Sequence, residues 1–102
     1  MSITVAELYQ RIVERILRND LKFKDTVYDL TQKVLLEEYA EEEVKKLMCS
    51  DEMYIMLFSL EEKMRKGART NGYTMRLVPT KEDGGRWGLP YHFEYYFAKK
   101  AN

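Results

Sequence analysis

One cysteine, Cys49, and one histidine, His92, are all that the chain contains of either residue. A single thiol excludes an intrachain disulfide. One Cys and one His cannot supply the four ligands of a structural zinc site, nor three of them without carboxylates. The two could form a Cys–His nucleophilic pair, but no third group of a triad accompanies them, and no G-x-S-x-G turn is present. Gly84-Gly85-Arg86-Trp87-Gly88 is rich in glycine, yet it follows no buried strand and opens no helix, as a phosphate-binding loop must. The acidic run from Glu37 to Glu43 does not alternate its carboxylates around a glycine, as a calcium loop does, and reads as a solvated helix face. The chain is therefore expected to be no enzyme and to hold no cofactor or metal.

Long hydrophobic runs are missing too. The longest, Met53 to Phe58, falls far short of the roughly 20 residues that cross a bilayer. No basic, apolar and small-residue pattern opens the chain as a secretory signal would. The expected setting is cytoplasmic and reducing, with no membrane partner. Net charge is zero, from 17 basic and 17 acidic residues, so no overall field draws the chain to nucleic acid or lipid.

What is present is a soluble, globular composition: 45% hydrophobic and 33% charged over 102 residues. That length suits one domain, 1–102, with a core of its own. Charge is unevenly placed. Eight acids and three bases lie between Asp29 and Glu52, whereas nine bases and three acids follow from Lys63 onward. Such an asymmetry can mark a partner surface.

Periodicity divides the chain into a helical part, 4–66, a linker, 67–72, and a β-hairpin, 73–98. Thr4-Val5-Ala6-Glu7 is a capping box. Val5, Leu8, Tyr9, Ile12, Val13, Ile16 and Leu17 then recur at helical spacing, with Glu7–Arg11 and Glu14–Arg18 as favourable i,i+4 pairs on the other side. Leu21 and Phe23 read as a connection folded back onto the core, and Asp25 as the next N-cap. From Thr26 to Met48 the apolar stripe continues but rotates. The stretch is one long or bent helix, or two broken near Tyr39-Ala40, and the spacing favours the former. Cys49-Ser50-Asp51 is a turn with a new N-cap, and a further helix runs to about Lys66, closed by Gly67. The first half of that helix is apolar all round, which predicts that Tyr54, Ile55 and Phe58 meet the hairpin while Met53, Met56, Leu57 and Leu60 meet the other helices.

After Asn71-Gly72 the period changes to two. Tyr73, Met75 and Leu77 alternate with Thr74, Arg76 and Val78 until Pro79 ends the strand. Thr80 to Gly85 is the loop. Arg86-Trp87-Gly88-Leu89 begins the return, and Tyr91, Phe93, Tyr95 and Phe97 point inward while His92, Glu94, Tyr96 and Ala98 point outward. The expected fold class is α+β: three to four helices followed by a C-terminal antiparallel β-hairpin.

Helices followed by such a hairpin resemble the element order of a winged-helix domain. On that resemblance Glu41 to Met48 opens a helix-turn-helix, Asp51 to Lys66 is the recognition helix and Lys81 to Arg86 the wing tip. The recognition helix would then open with Asp51 and Glu52, where base-reading helices carry Arg, Lys, Asn or Gln. Sequence-specific DNA binding is not supported.

Eight tyrosines are more than one small core can absorb, and exposed Tyr with Arg is the composition of protein interfaces. The chain is expected to be a non-enzymatic protein-binding module. It would be a small inhibitor or adaptor of the kind carried by phages and mobile elements, or a homodimer. The expected binding surface is Arg69, Arg76, Lys81, Arg86, Trp87, His92, Glu94 and Tyr96. The alternative is a winged-helix-like protein that contacts nucleic-acid phosphate through the hairpin and the bases of the first helix, Arg11, Arg15 and Arg18.

Overall fold

The first helix, α1 (Val5–Arg18), opens on the expected capping box. Thr4 Oγ1 accepts from the Glu7 amide at 3.1 Å, and Glu7 Oε1 accepts from the Thr4 amide at 3.3 Å. In the computed structural model, which describes residues 3–18, 23–79 and 93–100, α1 buries Leu8, Ile12 and Ile16. Its arginines do not form the expected pairs with acids of their own helix. Arg11 reaches Glu38 at 2.7 Å, and Arg15 (at 2.6 Å) and Arg18 both reach Glu37. These three long side chains tie α1 to the far end of the next helix.

Phe23–Thr26 is a strand, β1, not a connection. Its inward Asp25 is no N-cap. Only 8% of that residue is exposed, and its carboxylate is paired with Lys33 at 2.9 Å. The cap is Thr26, in extended conformation, whose Oγ1 accepts from the Asp29 amide at 3.0 Å. The next helix, α2 (Val27–Leu36), ends at Glu37, and α3 (Glu41–Met48) starts again after Ala40 at ψ 144°. The stretch 26–48 is thus two helices, broken near Tyr39-Ala40. The rotated stripe fits the break: on a straight helix at about 100° per residue Val44 would lie about a quarter turn off the face of Val27, Leu30, Val34 and Leu35, whereas α3 buries both Val44 and Met48. The last turn of α2 closes with Glu38 and Tyr39 both donating to the Leu35 carbonyl.

Ser50 caps α4 (Asp51–Asn71), its Oγ accepting from the Met53 amide at 3.2 Å. The helix runs past Lys66 and through Gly67, so the expected linker 67–72 is mostly helix. The C-terminal cap is Gly72, in the left-handed region at φ 83°, donating to the Ala68 carbonyl. Gly67 serves a different purpose: a Cβ there would lie 2.1 Å from Tyr9 Oη. Its absence admits the tyrosine of α1 to the flank of α4.

β2 (Tyr73–Pro79) and β3 (Phe93–Lys99) pair antiparallel, and β1 pairs antiparallel with the other edge of β3. The hairpin is therefore part of a three-stranded sheet ordered β1-β3-β2. The protein is α+β, four helices and one antiparallel sheet with the hairpin strands toward the C-terminus. Tyr73, Tyr95 and Phe97 are buried against Leu8, Ile12, Leu60 and Met64, so β3 closes the core as expected. The inward positions Tyr91 and Phe93 lie outside the residues whose side chains are described, as does Leu21. Among the described residues, the strands β2 and β3 do not cover the second apolar side of α4: Tyr54, Ile55 and Phe58 are 48%, 67% and 39% exposed. Among the described residues no helix is long and apolar enough to cross a membrane.

Candidate functional site

Residues paired across an antiparallel sheet share a face. Phe97 and Met75 form one inward row; Lys24, Tyr96 and Arg76 form the neighbouring row on the outer face. The Arg76 guanidinium lies 5.0 Å from the centre of the Tyr96 ring, and the Lys24 ammonium 5.9 Å. Both are within cation–π reach. Tyr96 itself is 37% exposed. Glu94, two residues back on β3 and on the same face, holds Lys24 at 3.1 Å. That hydrogen bond is the chief reason the Lys24 ammonium is held above its ordinary pKa. Arg76 has no carboxylate within ion-pair distance among the described residues, and its charge rests on the ring.

Three of the expected binding residues, Arg76, Glu94 and Tyr96, thus come together as a surface. Arg69 is exposed in the last turn of α4, and no hydrogen bond, ion pair or ring contact joins it to that row among the described residues. Lys81, Arg86, Trp87 and His92 lie outside the described residues. Lys24, which in the sequence only follows the bases of the first helix, joins this row through β1, and alternation does not reveal it. Phe23-Lys24-Asp25-Thr26 does alternate, but over four residues with one apolar side chain, too short for a period to register. Thr74, Ala98, Arg76 and Tyr96, with the edges of Met75 and Phe97, line a depression of about 470 Å³ on this face.

The bases of α1 are not part of such a surface. Arg11, Arg15 and Arg18 face Glu37 and Glu38 instead of solvent alone. A hydrogen bond from Arg18, reinforced by Arg15, holds the Glu37 carboxyl below its ordinary value. Two of the five acids of the run are thereby a clamp between helices, while Glu41, Glu42 and Glu43 stand exposed in the first turn of α3, where a helix dipole favours them.

Three tyrosines are structural. Tyr73 Oη donates to the Met64 carbonyl at 2.6 Å, which uses its one proton. The 3.1 Å contact between Tyr73 and Tyr9 is therefore donated by Tyr9, which in turn accepts from Asn71 Nδ2 at 3.0 Å. Asn71 also donates to the Gly67 carbonyl at 2.9 Å. This chain of bonds joins α1, α4 and β2. Burial first, then the bond with Tyr9, pushes the Tyr73 hydroxyl far above its ordinary range, and burial does the same to Tyr95. Neither is an acid or base near neutrality. A cavity of about 540 Å³ borders the network, lined by Ser59, Glu62, Lys63, Lys66 and Thr70 as well as Tyr9. The tyrosine hydroxyl there is already committed on both sides.

Cys49 is exposed. Its conceivable partner, His92, lies outside the described residues. No group of three or more His, Cys, Asp or Glu side chains is placed to hold a metal ion among the described residues. Comparison with protein-family models, with curated proteins and with solved structures gives no match.

Proposed function

We propose that this protein is a non-enzymatic protein-binding module, an inhibitor or adaptor that covers another protein's surface with the outer face of its sheet. One observation carries the reading: Tyr96 is exposed at the centre of a three-strand row, with Arg76 over its ring and Lys24 beside it. Tyr supplies large contact area with little rotamer freedom to lose, Arg adds charge, and both are enriched at the centres of interfaces. Here each is already oriented by the other and by the strands beneath. Glu94 offsets Lys24, so the row carries about one net positive charge. An acidic or carbonyl-rich protein surface matches that better than a polyanion does.

Co-purification from native lysate tests the reading when site variants are run beside the wild type. Arg76→Glu and Tyr96→Ala are expected to lose a captured protein that a variant on the exposed side of α1, Glu14→Gln, retains. A partner held equally by all four proteins would refute it. The second reading, nucleic acid, has in its favour only that a tyrosine ring flanked by cations can also stack on a base. Phosphate contact makes affinity fall steeply with salt, so a titration with a labelled single-stranded oligonucleotide separates the two.

A further inference from the structure

We infer that the open edge of β2 takes an extended segment of the partner protein as a fourth strand, antiparallel to β2, with an acidic residue opposite Arg76 and an apolar residue on either side of it. The inference rests on the reading of the sheet's outer row as a protein-binding surface and names the segment which that row takes. The sheet order β1-β3-β2 leaves β2 paired on one side only. An edge strand presents a row of unmet amides and carbonyls to an incoming strand. Which residues present them follows from the register. The Lys100 amide donates to the Gly72 carbonyl at 2.8 Å, and these two residues continue the register in which Tyr73 stands opposite Lys99. Hydrogen-bonded pairs alternate along an antiparallel ladder. Thr74, Arg76 and Val78 therefore turn their backbone groups toward β3, while Met75 and Leu77 turn theirs outward. Among the described residues no backbone bond joins Met75 or Leu77 to an element beyond the ladder. Pro79 has no amide proton and closes the edge.

The side chains of the same strand state the chemistry of the occupant. A segment bonded to Met75 and Leu77 places its intervening residue opposite Arg76, in a pair without backbone bonds, where side chains approach closest. Arg76 has the Tyr96 ring on one side at 5.0 Å, and no carboxylate lies within ion-pair distance of it among the described residues. An Asp or Glu there extends the outer row Lys24-Tyr96-Arg76 by one strand. The residues flanking that acid fall on the inward side, beside Met75 and Leu77. Leu77 is on that side and still 45% exposed, so an apolar neighbour covers it. Neither edge of a second copy supplies this pattern. β2 holds no acid, and the outward residues of β1 are Lys24 and Thr26, because Asp25 is turned inward and held by Lys33. A foreign segment that reads apolar, acid, apolar does.

The probe is the peptide acetyl-Ser-Thr-Val-Glu-Val-Thr-Ser-amide, titrated against the isotope-labelled whole chain up to about 5 mM, which reaches millimolar affinities. Amide NMR is expected to show saturating shifts and slowed hydrogen exchange at Met75 and Leu77, with exchange at Arg76, already bonded to β3, unchanged. Replacing the central Glu by Lys is expected to weaken binding about three- to tenfold, since an exposed pair becomes a repulsion. N-methylation separates strand addition from a mere ionic contact. Methyl groups on both Val nitrogens block the bonds to β2 and are expected to abolish binding. A methyl on the Glu nitrogen, which points away from β2, is expected to leave affinity within about twofold. In the protein, Leu77→Pro removes an outward amide and no ladder bond, and is expected to lose the peptide with an unchanged circular dichroism spectrum. The methylated peptides make the same test on the unaltered chain. No shift at Met75 or Leu77, or equal binding by the two methylated forms, overturns the inference. The two readings fail separately: a lysate partner lost by Arg76→Glu and kept by Leu77→Pro overturns the edge alone, whereas one kept by Arg76→Glu overturns the outer-face reading beneath it.

Discussion

Replacing Gly67 by alanine sets two physical effects against each other. The residue sits inside α4, four residues before its last, where alanine exceeds glycine in helix propensity by about 1 kcal/mol. On an open helix surface Gly67→Ala would therefore stabilise the protein. The new methyl, however, would lie 2.1 Å from Tyr9 Oη and 3.0 Å from both Tyr9 Cζ and Asn71 Nδ2. The tyrosine must swing aside, and the Asn71–Tyr9 and Tyr9–Tyr73 hydrogen bonds go with it. Two such bonds are worth about 0.5–1.5 kcal/mol each, and crowding a packed site adds about 1–3 kcal/mol. The expected net effect is a loss of about 1–5 kcal/mol, opposite in sign to the propensity argument.

Urea denaturation followed by far-ultraviolet circular dichroism measures it, with the slope m compared to confirm that only stability has changed. The comparison is sharpened by Tyr9→Phe, which removes the atom in conflict. Gly67→Ala should be less harmful in that background than in the wild type, by about 1 kcal/mol or more, a coupling expected of groups in direct contact. A stabilised Gly67→Ala protein, or equal effects in both backgrounds, would refute the account of why glycine stands there.

Two further outcomes concern buried and paired polar groups. Thr31 is fully buried in α2, and its Oγ1 finds no hydrogen-bond partner among the described residues. Thr31→Val is expected to raise stability by about 1 kcal/mol, since it removes an unsatisfied hydroxyl at nearly constant volume; a lower urea midpoint would contradict this. Glu37 has its pKa depressed from 4.5 by Arg18 and Arg15, so its contribution is complete above that value and is lost as pH falls through the depressed one. The carboxylate is partly solvated and screened, which keeps the effect within about 1 kcal/mol. The gap in urea midpoint between wild type and Glu37→Gln should be wide at about pH 6 and narrow at about pH 3. A gap independent of pH would mean that the clamp between α1 and α2 contributes nothing.

The elements legible in the sequence are those whose apolar residues keep one period along the whole element. Leu8, Ile12 and Ile16 announce α1, and Tyr95 and Phe97 announce the inward side of β3. α4 continues four residues past Gly67, the glycine that reads as a stop signal. Glycine marks a helix end when its backbone must turn left-handed, as at Gly72, but it also marks a close approach, and only the partner's position tells the two apart. β1 was invisible for a related reason. Its four residues have too little pattern, and what makes them a strand is the edge of β3 beside them. The site inherited that blindness: Arg76, Glu94 and Tyr96 were readable from alternation, whereas Lys24 enters only through cross-strand register. The apolar surplus of α4 was recognised, but not that the sheet leaves it exposed.

The charge asymmetry of the chain takes a narrower meaning once the side chains are paired. Glu37 and Glu38 neutralise the arginines of α1, Glu61 and Glu62 hold Arg65 and Lys66, and Glu94 holds Lys24. Among the described residues, the cations left on the sheet's outer row amount to Arg76, with Lys24 already shared. For a protein that reads phosphates, each neutralised phosphate steepens the fall of log K with log salt by about 0.7 on a single strand and 0.9 on a duplex. This row can neutralise one or two, so any oligonucleotide affinity residing on it must show a slope no steeper than about two. A slope of four or more would move the site elsewhere. The aromatic ring between two oriented cations is then more consistent with a protein surface, where one desolvated Arg–Tyr pair at the centre of a contact does more than a diffuse field.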